Sequence, residues 1–139
     1  MFLSVIFMVL EWKNIVMTEN ELTYQIRGAV WDVYNILGPG LLESVYEEAL
    51  CYELHQRGVK VERQVPVQII YKGVILNNSL KLDLIVEDRI IIELKSVDQV
   101  KSVFFKQLKT YLRLLGKPLG LLVNFGENDM KKGILRVTL

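Results

Sequence analysis

Three charged residues lie within two short runs of branched apolar residues. Asp83 lies in the run Leu80–Val86, and Glu93 and Lys95 lie in the run Ile90–Val97. Such composition predicts two β-strands, in which successive side chains point to opposite faces. One face is wholly apolar: Leu80, Leu82, Leu84, Val86, Ile90, Ile92 and Leu94. The other face carries four charged residues together with two isoleucines: Lys81, Asp83, Glu93 and Lys95, with Ile85 and Ile91.

The loop between the two strands decides which residues oppose each other. A two-residue loop is excluded, because it would set Asp83 against Ile92 on the wrong face. A three-residue loop at residues 87–89 keeps the faces matched, and Asp88 there tolerates a left-handed backbone. Longer loops of the same parity also fit. The three-residue loop pairs Val86 with Ile90, Ile85 with Ile91, Leu84 with Ile92, Asp83 with Glu93, Leu82 with Leu94, and Lys81 with Lys95.

Two opposed carboxylates raise an electrostatic problem, since their Cβ atoms would lie about 5 Å apart and their charges repel. A divalent cation would offset the repulsion, and hard oxygen ligands suit Mg²⁺ or Mn²⁺. Such an ion polarises a phosphate and lowers the pKa of bound water. Lys95 would orient that nucleophile or stabilise developing charge. The pattern therefore predicts phosphodiester hydrolysis, while a merely solvated polar face is the alternative.

The remaining elements must position this hairpin. Thr18 and Glu21 form a capping-box pattern at the start of a helix, and Gly38-Pro39-Gly40 ends that helix. The periodicity further predicts a helix over 41–57, strands over 61–64 and 65–75 with a turn or bulge at Lys72-Gly73, a helix over 99–115, and strands over 119–125 and 134–138. This order predicts a single α/β layer fold around a mixed sheet.

Composition narrows the classes of protein. The chain has 139 residues, of which 51% are hydrophobic and 24% charged, so it is one globular domain. One cysteine, Cys51, excludes a disulfide scaffold or a multi-cysteine zinc site, and it suits the reducing cytoplasm. The net charge is +1, but residues 1–64 carry −4 and residues 65–139 carry +5. We therefore expect an anionic partner to bind the second half.

The first residues form an apolar lead-in. Met1–Leu10 is too short to cross a membrane and lacks the basic start and cleavage site of a signal peptide. We expect no membrane association. Translation is expected to begin at Met17, which would make residues 1–16 dispensable. The chain thus divides into a lead-in, 1–17, and a domain, 18–139.

The hairpin resembles a known family. Asp83 followed by Glu93-Leu94-Lys95 is similar to the signature of the PD-(D/E)XK nuclease superfamily, with Leu82 where the name has Pro. The segment 40–46, GLLESVY, resembles the motif of the GxxExxY family, which is placed in that superfamily. Gln107 and Tyr111 resemble its Q-x-x-x-Y motif. The resemblance covers residues 18–139 and implies an αβββαβ core, in which helices flank a mixed sheet, with a metal-dependent nuclease site.

The resemblance also implies roles for individual residues. Asp83, Glu93 and the backbone carbonyl of Leu94 would bind Mg²⁺ or Mn²⁺. Lys95 would be the catalytic lysine. Glu43 would be an additional catalytic and metal-binding acid from the first core helix. The alternative for Glu43 is that it compensates the helix dipole.

Substrate contacts are expected on the helix after the hairpin. Gln107 and Tyr111 share one face and would support the site or contact substrate, although Tyr111 also fits an apolar stripe. Lys106, Lys109 and Arg113 form a basic stripe that could contact phosphates or only solvent. The sequence thus predicts a metal-dependent nuclease, with DNA as the expected substrate. The alternative is a catalytically silent binding or assembly module. Sequence specificity would need a homodimer or a partner protein.

Overall fold

The computed structural model describes residues 16–139, so the lead-in at residues 1–15 lies outside the described part. Residues 16–139 contain three helices: α1 (Glu19–Leu37), α2 (Glu43–Gln56) and α3 (Ser102–Leu115). The same residues contain seven strands: β1 (Val61–Pro66), β2 (Ile70–Tyr71), β3 (Val74–Ile75), β4 (Lys81–Val86), β5 (Ile90–Lys95), β6 (Leu119–Asn124) and β7 (Ile134–Thr138). A 3₁₀ turn covers Met130–Lys132. No helix among the described residues is both long and apolar enough to span a bilayer.

Five strands form one mixed sheet in the order β1-β4-β5-β6-β7, and β2 pairs only with β3. The β5–β6 pair is parallel, because α3 carries the chain back across the sheet between them, and the other pairs are antiparallel. The predicted mixed sheet flanked by helices is confirmed.

Apolar residues cover both faces of the sheet. One cluster joins the sheet to α1 and α2, through residues such as Leu22, Leu50 and Ile92. A second cluster joins the opposite face to α3, through Ile85, Ile91 and Leu108. Both faces of the β4–β5 hairpin are therefore buried, although the sequence predicts one polar face.

The helix boundaries follow local chemistry. The Thr18 hydroxyl accepts a 3.1 Å bond from the Glu21 amide, while the Glu21 carboxylate accepts a 3.0 Å bond from the Thr18 amide. This reciprocal pair is the predicted capping box. The second helix begins at Glu43, because residues before it approach in an extended conformation. The third begins at Ser102, three residues later than predicted.

The register of the β4–β5 hairpin agrees with the prediction close to the loop. Val86 pairs with Ile90 and Leu84 with Ile92, and the loop contains three residues, 87–89. The Arg89 amide closes it with a 2.9 Å bond to the Val86 carbonyl. Asp88 has the expected left-handed backbone (φ 53°), and so does its neighbour Glu87 (φ 51°).

Two details of the hairpin prediction are wrong. Backbone pairing ends at Leu84 and Ile92, so the three expected pairs beyond them, including Asp83 with Glu93, are not formed. The apolar face also breaks up. Leu80 is 40% exposed, and Leu82 packs in the cluster under α3 whereas Leu84 packs under α1 and α2. The strand therefore changes faces around Asp83, which accounts for the lost pairing.

The predicted strand over 65–75 is also wrong in its extent. It ends at Pro66, and a short separate ribbon formed by β2 and β3 follows. The two residues between β2 and β3, Lys72 (φ 48°) and Gly73 (φ 77°), both have a left-handed backbone. Lys72-Gly73 is thus a tight hairpin turn, which is one of the two predicted alternatives, the other being a bulge.

Candidate active site and metal centre

Two hydrogen bonds from backbone amides to the side chains of Asp83 and Glu93 stand where the backbone pairs are missing. The Asp83 amide donates to Glu93 Oε1 over 3.3 Å. The Leu94 amide donates to Asp83 Oδ2 over 2.8 Å. Each acidic side chain thus reaches across to the opposite strand. The arrangement fixes both carboxylates at the place where β4 and β5 separate.

The environment of the two acids contradicts the alternative of a solvated polar face. Glu93 is only 7% exposed. Burial, followed by the charge of Asp83, raises the pKa of Glu93 to about 8. Burial also raises the pKa of Asp83, and the charge of Glu47 adds to this effect. A buried and a half-buried acid that both have raised pKa values are typical of a functional site rather than of a strand surface.

Lys95 is near enough to both acids for its charge to act on them, although within residues 16–139 it forms no ion pair with either. Its charge lowers the pKa of Asp83 and of Glu93, opposing the larger effect of burial. The side chain is half-buried, and its Nζ lies 4.3 Å from the centroid of the Phe104 ring. Such a contact between an ammonium group and an aromatic face is stabilising. The α3 helix therefore holds the predicted catalytic lysine beside the carboxylates.

A pocket of about 220 Å³ opens beside Asp83. The residues around it come from four elements, α2, β1, β4 and β5: Glu43, Ser44, Glu47, Gln64, Asp83 and Leu94. Glu43, which the sequence predicts as an additional acid, therefore does face the same pocket as Asp83. It is solvent-exposed, and it stands at the N-terminus of α2, as the dipole alternative also requires. Leu94 reaches the pocket as well, as the prediction of a carbonyl ligand requires.

Sequence reasoning gave no role to two residues that line this pocket, Glu47 and Gln64, or to Arg63, which pairs with Glu47. Glu47 lies one helical turn after Glu43, and it is buried. Its carboxylate pairs with Arg63 at 3.1 Å and accepts a hydrogen bond from the side-chain nitrogen Nε2 of Gln64. The only signal was the i, i+4 spacing from Glu43, because nothing local identifies which acid of a helix is buried.

Gln64 has an unusual backbone. Its φ of 49° places it in the left-handed region, which residues other than glycine seldom adopt. It interrupts the β1–β4 pairing, since Arg63 pairs with Leu84 and Val65 with Leu82 while Gln64 and Asp83 are unpaired. The two strands thus deviate at the same place, opposite each other. Such local strain is found most often at functional sites.

Gln107 and Tyr111 share a face of α3, as predicted. The Gln107 amide nitrogen donates a 2.8 Å bond to the Tyr111 hydroxyl. Burial raises the pKa of Tyr111, and the charges of Glu93 and Asp83 add to the shift. Tyr111 is also buried in the cluster under α3. The apolar stripe predicted for Tyr111 is thus present, while its role in supporting the site or contacting substrate stays a prediction.

The predicted basic stripe is less closely connected. Lys106, Lys109 and Arg113 are all exposed on α3. Within residues 16–139, none of the three forms an ion pair with an acid. Their side chains are available to an anion, and they are equally compatible with a solvated helix face.

The end of β5 is held by Asn124, which is fully buried. Its side chain bonds both backbone groups of Val97, at 3.0 Å from the amide and 2.9 Å to the carbonyl. The Phe125 amide also donates a 2.8 Å bond to the Lys95 carbonyl. These contacts fix the backbone directly after Glu93 and Lys95. Sequence reasoning could not find them, because one Asn in an apolar strand carries no local signal.

The donor set fits a hard divalent cation. Asp83 and Glu93 offer carboxylate oxygens close together, where their mutual repulsion would be relieved by positive charge. Mg²⁺ is commonly held by only one or two carboxylates together with water and substrate phosphates. In the described part of the chain, no group of three or more acidic, His or Cys side chains stands ready to hold a metal ion. Glu43 therefore does not form a preassembled triad with Asp83 and Glu93.

The comparisons with known proteins agree with this geometry. The sequence profile of the PD-(D/E)XK nuclease superfamily matches residues 20–137. This match spans most of the chain, so the protein belongs to the PD-(D/E)XK nuclease superfamily. Searches of curated proteins and of solved structures gave no significant match. Membership of the superfamily supports a nuclease with a nucleic-acid substrate, and nucleases of this superfamily generally use divalent metals.

Proposed function

We propose that the protein is a metal-dependent nuclease that hydrolyses phosphodiester bonds in DNA. The observation that carries the proposal is the pair formed by half-buried Asp83 and buried Glu93, with Lys95 nearby, at a break in strand pairing. A structural sheet would not gain from two adjacent acids withdrawn from solvent, since such groups are costly unless they bind a partner. The motif at residues 40–46 further supports assignment to the GxxExxY branch of the superfamily.

Each residue has a proposed part in this function. Asp83, Glu93 and the Leu94 carbonyl would hold Mg²⁺ or Mn²⁺, and Glu43 would complete or orient the shell from across the pocket. The bound cation would supply Lewis-acid polarisation of the attacked phosphate. Lys95 would donate hydrogen bonds to the phosphate oxygens, where negative charge accumulates. Its half-buried position beside Phe104 keeps the ammonium close to the acids.

The α3 helix would contribute to substrate binding. Gln107 and Tyr111 would support the acids or contact the substrate near the scissile bond. In support of this, burial and then the charge of Glu93 raise the pKa of Tyr111. The basic stripe of α3 would contact phosphates farther along the nucleic-acid strand, through Lys106, Lys109 and Arg113. Cytoplasmic location and assembly as a homodimer, or with a partner protein that supplies specificity, complete the proposal. The buried free thiol of Cys51 is consistent with a reducing compartment.

The decisive experiment combines metal titration with cleavage. Isothermal titration with Mn²⁺ and Mg²⁺ should show binding by the wild type, loss of binding in Asp83→Asn, and retained binding in Asp88→Asn. Asp88 is the matched control, because it is an exposed acid in the same hairpin. Asparagine at position 83 can still accept the bond from the Leu94 amide, so the fold is expected to survive.

Cleavage is then tested on single-stranded DNA, double-stranded DNA and RNA, with EDTA as the control. Lys95→Ala should abolish cleavage but retain metal binding, since lysine is not a ligand. Lys132→Ala, an exposed lysine on the 3₁₀ turn, should cleave normally. If the wild type binds metal but cleaves none of the substrates, or if Lys95→Ala cleaves equally well, the enzyme proposal fails. The alternative, a silent nuclease-like binding module, then replaces it.

A further inference from the structure

A β-ribbon extends from one end of the β1–β4 pair, and we call residues 67–80 the arm. The Val67 amide donates a 2.9 Å bond to the Leu80 carbonyl, which continues the β1–β4 register. The Leu76 amide donates a 2.8 Å bond to the Ile69 carbonyl farther out. Between these bonds, residues 77–79 stand opposite Gln68 alone. The arm is thus a bulged continuation of two core strands.

Asn78 anchors this bulge. Its side-chain nitrogen donates a 3.2 Å bond to the Val67 carbonyl, and its side-chain oxygen accepts a 2.9 Å bond from the Leu80 amide. A bulge bends a ribbon and increases its twist. The base of the arm is therefore fixed, although the ribbon beyond it has few other contacts.

The surface of the arm is unusually apolar for exposed structure. Every residue from Ile70 to Leu80 is exposed. The four residues of β2 and β3 are large and each is more than half exposed: Ile70, Tyr71, Val74 and Ile75. A two-stranded ribbon alone is marginally stable, and an apolar exposed patch usually marks an interaction surface. The arm is therefore suited to contact a partner.

The charge of the arm identifies the kind of partner. No Asp or Glu occurs between Val65 and Leu82, while Lys72 lies at the tip and Lys81 at the base. Lys72 Nζ lies 5.5 Å from the Tyr71 ring centroid, so an aromatic face and a cation are presented together. Nucleic acids combine anionic phosphates with flat apolar bases, and proteins bind single strands with basic and aromatic side chains.

The position of the arm supports the same partner. Lys81 is two residues before Asp83 on β4. Because β4 and β5 are antiparallel, the start of β4 and the end of β5 lie at the same end of the two strands. Glu93 and Lys95 are at that end of β5. A nucleic-acid strand bound at the acids can therefore continue onto the arm.

We propose that the arm binds single-stranded nucleic acid next to the cleavage site, with Tyr71 stacked on an unpaired base and Lys72 and Lys81 at phosphates. The inference rests on the proposed nuclease function and extends it to the form of the substrate. An unpaired base is required, because a base within a duplex does not offer its face to a side chain.

The test is fluorescence anisotropy of a labelled 20-nucleotide single-stranded DNA in EDTA, with the full chain. Tyr71→Ala should weaken binding by about 5- to 100-fold, the usual effect of losing one stacked base. Tyr71→Phe should bind like the wild type. Tyr24→Ala is the matched control, since Tyr24 is an exposed tyrosine on α1. Lys72→Gln should reduce the slope of log affinity against log salt by about one.

The outcomes separate the two proposals. If the wild type cleaves nucleic acid but Tyr71→Ala and Lys72→Gln bind with unchanged affinity, the arm inference is overturned and the nuclease proposal stands. If Tyr71→Ala instead converts a dimer to a monomer by light scattering with unchanged affinity, the arm is an interface between copies. If the wild type neither binds nor cleaves any nucleic acid, both proposals fail. Circular dichroism of each variant confirms that the domain is folded.

Discussion

The backbone amide of Asp83 donates a 3.3 Å hydrogen bond to Oε1 of Glu93, and the charge of Asp83 is, after burial, the main cause that raises the pKa of Glu93 to about 8. The two residues are thus coupled by both geometry and charge. Because this pKa lies above neutral pH, we expect Glu93 to hold a proton in the metal-free protein, while the Asp83 carboxylate accepts the bond from the Leu94 amide. A bound cation would reverse this preference.

We predict that the metal-free protein loses stability as the pH rises from 5 to 8. Glu93 titrates near 4.5 when unfolded and near 8 when folded, so the folded state binds more protons throughout this window. Stability then decreases with increasing pH. The loss should be about 1–3 kcal/mol of unfolding free energy, discounted for relaxation of the site. Urea unfolding in EDTA at pH 5, 6, 7 and 8 measures it, and a rising curve would contradict it.

We predict that Glu93→Gln stabilises the metal-free fold at pH 8 but removes metal binding. The glutamine oxygen can still accept the Asp83 amide, while the repulsion between two carboxylates is lost. The gain should be about 1–2 kcal/mol, and the pH dependence between 5 and 8 should flatten. Thermal melts with EDTA and with Mg²⁺ measure both effects. A large loss of stability in EDTA would instead assign Glu93 to a structural ion pair, such as one with Lys95 or Lys81.

We predict that Tyr46→Phe destabilises the protein by about 1–2 kcal/mol, because a buried hydroxyl that serves two backbone groups is lost. The Tyr46 hydroxyl donates to the Gly38 carbonyl and accepts a 3.1 Å bond from the Leu41 amide. The ring stacks on Phe125 at 4.2 Å, and phenylalanine would keep that contact. Unfolding in urea measures the change.

The same substitution should also lower cleavage activity. The Leu41 carbonyl accepts a 2.7 Å bond from the Ser96 hydroxyl, so the segment before Glu43 is tied to the end of β5. Tyr52→Phe, at an exposed tyrosine of the same helix, is the control. Equal effects of Tyr46→Phe and Tyr52→Phe on stability would contradict the role of the buried hydroxyl.

Much of the fold was predictable because its signals are local. The capping box at Thr18 and the glycines that end helices depend on neighbouring residues only. The hairpin register followed from matching the faces of two strands, and it held where both strands are regular, from Leu84 to Ile92. The association of Asp83 with Glu93 was predictable for the same reason, although the linkage through side chains was not.

The rest depends on tertiary contacts that no short pattern records. Leu82 changes faces because the strand deviates opposite Gln64, and the sequence alternation of β4 gives no sign of this. Glu47 rather than Glu43 is the buried acid of α2, because Arg63 and Gln64 come from β1 to satisfy it. The exposure of the arm was likewise hidden, since β-branched residues predict a strand without saying whether another layer covers it.

We predict that the basic stripe of α3 contacts substrate phosphates, so that Lys109→Glu weakens binding of DNA and lowers its salt dependence. Each phosphate contact releases about one counterion, and losing one contact should reduce the slope of log affinity against log salt by about one. Anisotropy titrations at several salt concentrations measure the affinity for DNA and its slope against log salt. Lys132→Glu is the matched control, because it makes the same change of net charge at an exposed lysine outside α3. Equal losses in both variants would show that only net charge matters, and no loss in Lys109→Glu would show that the stripe is a solvated helix face.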